Sequence, residues 1–285
     1  MNPSRLSRPV RLERSDAVRP PIGDPDFMLS LARGLAAIRA FGDAGSQLSV
    51  ADVARLAGLS RASARRCLHT LSVLGYAAAS GGRYELTPSI LTLGQAYLSS
   101  TTIARVAQPV LERVSDQLHE SSSVAVLDGE EIVYVARASA RRILTISLDV
   151  GSRLPAACTS MGRVLLAAAD ADGRAHVLKR MKLPRYTART ITDKPALAAE
   201  LEAVRAQGYA IVDQELELGL RSCAVPIARH DGTVVAALNV GAHAARADVA
   251  TLRREVVPLL RQAADEISAA LGTPREPGEP AGRIV

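Results

Sequence analysis

The stretch "GLSRASARRCLHTL", residues 58–71, carries three arginines and a histidine with no acidic side chain among them. Ser60 suits the cap of a helix that begins at Arg61. At 3.6 residues per turn Ala64, Cys67, Leu68 and Leu71 form one stripe, leaving Ala62, Arg65, Arg66 and His69 opposite. The stripe has to pack inward, so the outer face offers a small residue and three cationic or hydrogen-bonding groups. That face fits guanine edges and phosphates. Taken alone, it equally fits a solvated surface.

The flanking residues narrow the choice. "VADVARLA" (50–57) predicts two helical turns opened by Ser49 and stopped at Gly58. Upstream, "FMLSLARGLAAIRAF" (27–41) predicts a helix capped by Asp26, with Leu31, Leu35, Ile38 and Phe41 at helical spacing. Downstream, "YAAAS" and "RYELT" flank Gly81-Gly82 and read as a small hairpin closed by Pro88. Helix, tight glycine turn, helix and hairpin together match a winged helix-turn-helix over 25–88. "SILTLGQAYLSS" then predicts a linker helix over 89–104.

A different pattern fills 105–272. Alternating strands surround Asp128-Gly129, and helices near 159–169, 170–182 and 196–207 are interleaved with the strands "YAIVDQE", "SCAVPIAR" and "TVVAALNVGA" before a closing helix over 249–271. The expected class is α+β: a winged helix-turn-helix followed by an α/β domain with a mostly antiparallel sheet. The proline- and arginine-rich residues 1–24 and the tail 273–285 are expected to be a disordered arm and a flexible end.

Charge follows this division. Residues 1–100 hold 12 Lys and Arg against 7 Asp and Glu, and the remaining residues hold 23 against 22, so most of the net +6 lies beside the candidate DNA-binding helix. No apolar run approaches membrane-spanning length, and the basic N-terminus has no apolar stretch of a secretory signal behind it, so the expectation is a cytoplasmic protein with no membrane partner. Cys67, Cys158 and Cys223 are odd in number and widely spaced, which implies reduced thiols and no metal site. No cofactor is expected.

Two groups of segments carry a resemblance to the IclR family of bacterial transcription regulators. "LSVADVARLAGLSRASARRCLHTLSVLGY" with "GRYELTPSILTLGQAYLSS" resembles the family's N-terminal part. "LPAACTSMGRVLLAA", "VRAQGYAIVDQELELGLRSCAVPI" and "VVAALNVG" resemble its effector-binding domain, in the same order, so that the similarity spans about 27–271. Through "LSRASARRCLHTL", "VYVARASARRILTISLDVGSRLPA" and "HAAR" the chain is most similar to regulators of the protocatechuate and β-ketoadipate pathway. The resemblance implies a homodimer or homotetramer on palindromic double-stranded operator DNA, a GAF-like effector domain, and a small carboxylic acid as effector. It places Ser63, Arg65 and Arg66 in the recognition helix and Arg83 in the wing. The candidate DNA-binding residues are therefore Ser60, Arg61, Ala62, Ser63, Arg65, Arg66, His69 and Arg83. The wing "AAASGGRYE" departs from the family in offering one cation.

For the effector, Thr159 or Ser160 opens a helix whose free N–H groups suit a carboxylate, or forms a plain cap. Strand alternation pairs Ser222 with Ala224 and Asn239 with Gly241 on single faces. The family uses these strands and this helix start to line its cavity, which makes Ser160, Met161, Gly162, Asp213, Ser222, Asn239 and Gly241 the candidates. Arg137, Arg141 and Arg142 are candidate cations for a carboxylate, Arg137 being preferred. Ala157 stands where the aromatic-pathway group has a tyrosine. Two other readings remain open: a C-terminal half that only oligomerises, and a hydrolase using Cys158, near His176, or Ser160. The second lacks any glycine-framed nucleophile turn.

Overall fold

The structure, a computed structural model, describes residues 24–100, 102–140 and 148–271. The expected arm, apart from Asp24, the expected tail, and Arg141 and Arg142 lie outside the described residues. The chain divides into two compact units, Met1–Tyr97 and Leu98–Val285.

In the first unit, α1 (Leu29–Ala44), α2 (Val50–Leu56) and α3 (Arg61–Val73) surround a small core of Ala37, Ala40, Phe41, Leu48, Val53, Ala54, Ala64 and Leu68. Asp26 does not cap α1. Its own N–H donates to the Asp24 carboxylate, and the helix starts after Met28 without a side-chain cap. Leu31 and Leu35 are exposed; the buried stripe runs through Ala37, Ala40 and Phe41, where small side chains let α2 and α3 approach closely. Ser49 and Asp52 form a reciprocal capping box on α2. Gly58 turns the chain with φ +65°. The hairpin pairs β2 (Ala77–Ser80) with β3 (Arg83–Leu86) around Gly81 and Gly82, both at positive φ. A short β1 (Leu48–Ser49) adds to β3 and completes a three-stranded wing sheet. One 3-10 turn (Pro88–Ile90) leads into α4 (Leu91–Ser100).

The second unit is built on a six-stranded, wholly antiparallel sheet in the order β6-β5-β4-β9-β8-β7. Its strands are β4 (Ser121–Asp128), β5 (Glu131–Ala138), β6 (Arg153–Pro155), β7 (Ala210–Asp213), β8 (Leu220–Ala228) and β9 (Val234–His243). α5 (Thr102–Leu118) and α10 (Val257–Leu271) bury one face through Leu111, Leu260 and Ile267 packed on Val124, Cys223, Leu238 and Val240. α6 (Ser160–Ala168) and α8 (Lys194–Gln207) bury the other through Met161, Leu166, Leu197 and Leu201 packed on Ala125, Ala224 and Ala237. α7 (Ala171–Arg180) follows α6, and α9 (Val249–Thr251) with a π turn (Leu252–Val256) precedes α10. Small residues on the α6 side of the central strands leave room between sheet and helix, and this room positions the second site.

Candidate functional site

The wheel reading of α3 holds in the structure. Ala64, Leu68 and Leu71 are buried and Cys67 half-buried, whereas Arg61, Ala62, Arg65, Arg66 and His69 are exposed. Ser60 caps the helix by accepting the Ser63 N–H at 3.2 Å, and the two hydroxyls bond to each other at 3.0 Å. Among the described residues no carboxylate pairs with Arg61, Arg65 or Arg66, so three guanidinium groups are available on one exposed face. Arg83 begins β3 and is exposed, but one guanidinium N–H donates to the Gln47 carbonyl at 3.2 Å, and Gln47 in turn donates to Glu85 at 3.0 Å. The single wing cation thus leans back onto the wing sheet.

In the second unit the strand register assembles a polar row. Arg137 on β5 lies opposite Ser123 on β4, Ser123 opposite Asn239 on β9, and Asn239 opposite Ala224 on β8. Val124, Leu238, Val240 and Cys223 face α5 and α10, so alternation turns Ser123, Asn239 and Ala224 toward α6. The next row, Gly241 opposite Ser222, shares that face. Arg137 donates to the Ser123 hydroxyl at 3.0 Å, while its buried Nε has no partner. The buried Ser160 hydroxyl at the start of α6 and the buried Asn239 Oδ1 also lack partners. Buried polar atoms are nearly always satisfied within a folded chain. Three unsatisfied ones on one sheet face and the helix start above it are groups left for something the chain does not itself supply.

Not all candidates join this row. Asp213 alternates with Ala210 and Val212 and lies on the α10 side of the sheet, where it pairs with Arg221 at 2.7 Å and Arg189 at 2.5 Å. The Arg221 hydrogen bond holds its carboxyl below the ordinary aspartate value of 3.8. Gly162 is a packing position: its N–H donates to Thr159 Oγ1 at 3.3 Å, and a Cβ there would sit 2.2 Å from the Ala156 carbonyl oxygen. Thr159 therefore caps α6, and Met161 is a fully buried member of the α6 core.

Residues 95–269 match the family model of the bacterial transcriptional regulator IclR C-terminal domain, and residues 30–81 match that of the IclR helix-turn-helix domain. The chain belongs to the IclR family. It is 48% identical over 263 residues to the Pca regulon regulatory protein of Pseudomonas putida, covering 92% of this chain and 90% of that one. A crystal structure of a transcriptional regulator from Rhodococcus sp. RHA1 is 48% identical with a TM-score of 0.77, over 86% of this chain and 98% of that one. An IclR homolog from Microbacterium hydrocarbonoxydans, solved with 4-hydroxybenzoate, is 29% identical with a TM-score of 0.73, over 85% and 98%. The chain is accordingly a helix-turn-helix regulator with a C-terminal α/β effector-domain fold, as the sequence segments implied.

The hydrolase alternative finds no support in the geometry of this IclR domain. Burial, with Glu215 nearby, pushes the Cys158 thiol up to about 12, so it stays protonated near neutral pH. The Ser160 hydroxyl makes no hydrogen bond with a described residue and so has no base. Among the described residues no group of three His, Cys, Asp or Glu is placed to hold a metal ion, and no helix is long and apolar enough to cross a membrane.

Three residues escaped the sequence reading. Tyr134 on β5 is buried on the α6 side near Arg137, and burial pushes its phenol up to about 12. Ser123 carries the guanidinium of Arg137. Arg163, one turn into α6, is 2% exposed and donates to the Ala157 carbonyl at 3.0 Å and to Glu215 at 2.7 Å.

Proposed function

We propose that this IclR-family chain binds a palindromic operator as a homodimer or homotetramer through α3 and senses a small carboxylic acid of the aromatic or β-keto class in the second unit. It thereby controls an aromatic-acid catabolic operon in the cytoplasm. The observation that carries the sensing half is the set of unpartnered buried atoms, Arg137 Nε, Ser160 Oγ and Asn239 Oδ1, on one face of the sheet and the helix start that covers it. The names of relatives point the same way: one regulates a Pca regulon, and another was solved with 4-hydroxybenzoate. Ser160, Met161, Ser222, Gly241 and Asn239 line the site and Arg137 meets the carboxylate, because a guanidinium fork matches a carboxylate in two parallel bonds.

On α3, Arg65 and Arg66 with Arg61, Ala62, Ser63 and His69 enter the major groove, Ser60 supports the helix start, and Arg83 contacts the backbone at the wing. The acid alters transcription only if it binds one arrangement of the paired helices better than another. A thermal-shift screen against aromatic and keto acids tests the sensing half. Stabilisation by at least one acid that disappears in Arg137→Gln is expected. No stabilisation by any acid at millimolar concentration contradicts it and leaves the second unit as an oligomerisation module.

A further inference from the structure

The polar groups in this pocket specify more than a carboxylate. Arg137 and Asn239 face the same side from strands two places apart, which separates their Cα atoms by about 10 Å at the usual strand spacing. Between them the sheet face presents only small side chains, Ser123, Ala125 and Ala237, and α6 closes it from above with Ser160 and Met161. The pocket is thus charged at one end, neutral and polar at the other, and flat and apolar between. Arg163, the next cation along α6, is fully engaged by Ala157, Glu200 and Glu215. Among the described residues, Arg137 is the cation left on this face.

Resting on the effector reading above, we propose that the effector is an aromatic monocarboxylic acid bearing a ring hydroxyl, with Arg137 holding the carboxylate and Asn239 reading the hydroxyl. A second carboxylate at the Asn239 end would be buried without a counter-charge, which is strongly unfavourable. A ring hydroxyl brings no charge there and can donate to the unpartnered Oδ1 of Asn239, an atom that benzoate would leave unsatisfied. The rigid ring spans the two ends and fills the flat middle, so the acid is ordered before it binds.

Isothermal titration of the full chain with 4-hydroxybenzoate, benzoate and adipate tests this. 4-Hydroxybenzoate is expected to bind about tenfold or more tightly than benzoate, the factor a buried hydrogen bond supplies, and adipate more weakly than either. Asn239→Leu removes a buried unsatisfied amide, so the variant is expected to fold with unchanged or higher melting temperature. Its affinity for 4-hydroxybenzoate should drop to the benzoate level while benzoate is unaffected. Adipate binding as tightly as 4-hydroxybenzoate, or a preference for the hydroxyl that survives Asn239→Leu, overturns the inference and leaves the effector pocket standing. Binding of none of the three acids contradicts both the inference and the pocket.

Discussion

Tyr134 and Arg137 face the same side of the sheet although three residues separate them on one strand. A β-bulge makes this possible: Val124 pairs with Ala136 and Ala125 with Tyr134, leaving Val135 without an opposite. The phenol is brought beside the guanidinium on the pocket side. Its hydroxyl makes no hydrogen bond with a described residue. Tyr134→Phe keeps the ring and removes the hydroxyl, so the expected result is an unchanged melting temperature with carboxylate affinity lowered about three- to tenfold by titration. Unchanged affinity would make Tyr134 a packing residue only.

Gly162→Ala tests the closest approach in the second unit. The added methyl would meet the Ala156 backbone at 2.2 to 2.6 Å, and backbone cannot swing aside as a long side chain can. A loss of about 2–3 kcal/mol is expected from overpacking, read by urea unfolding. A stability loss under 0.5 kcal/mol would mean that the turn over Ala156–Cys158 relaxes freely.

Arg163 and Glu215 form a buried ion pair, 2% and 9% exposed, that ties α6 to the loop after β7. Glu215 also accepts the Ile191 N–H at 3.0 Å. Glu215→Ala strands a buried guanidinium and is expected to cost about 3–5 kcal/mol. The double change Arg163→Met with Glu215→Leu is expected to cost less than Glu215→Ala alone, because it removes the orphaned charge. Chemical denaturation of the three variants decides between these outcomes.

Asp213 gives the pH dependence. Its folded-state value lies below 3.8, first because of the Arg221 hydrogen bond, so its stabilising contribution is complete above pH 3.8 and disappears as the pH falls through the lower folded-state value. Asp213→Asn is expected to melt lower than the parent at pH 6, with the gap closing below pH 3.8. A gap that stays constant down to pH 2 would contradict the ion pairing.

Much of this architecture is visible from the residues alone. The α3 stripe follows from helical period, the Gly81-Gly82 hairpin from turn chemistry, and the pairing of faces for Ser222 and Asn239 from alternation. What stayed hidden depended on events that period cannot reveal. Strict alternation puts Tyr134 opposite Arg137, and only the bulge brings them together. Asp213 and Ser222 sit on neighbouring strands, and their register places them on opposite faces. Leu31 and Leu35 have the spacing of a core stripe, yet close helix packing selected the alanines of α1 instead. Arg163 looks like any helix-surface arginine until Glu215, 52 residues away, is folded against it.

The central claim is that one chain couples DNA held on α3 to an acid held above the sheet. A duplex selected by the protein from a random-sequence pool, labelled and titrated by fluorescence anisotropy with and without 4-hydroxybenzoate, tests it most directly. The account predicts a two-fold symmetric selected sequence, affinity reduced about tenfold or more by Arg66→Ala without loss of folding, and a shift in operator affinity on adding the acid that Arg137→Gln abolishes. Operator affinity that is unchanged by Arg66→Ala, or that responds to the acid equally with and without Arg137, would contradict it.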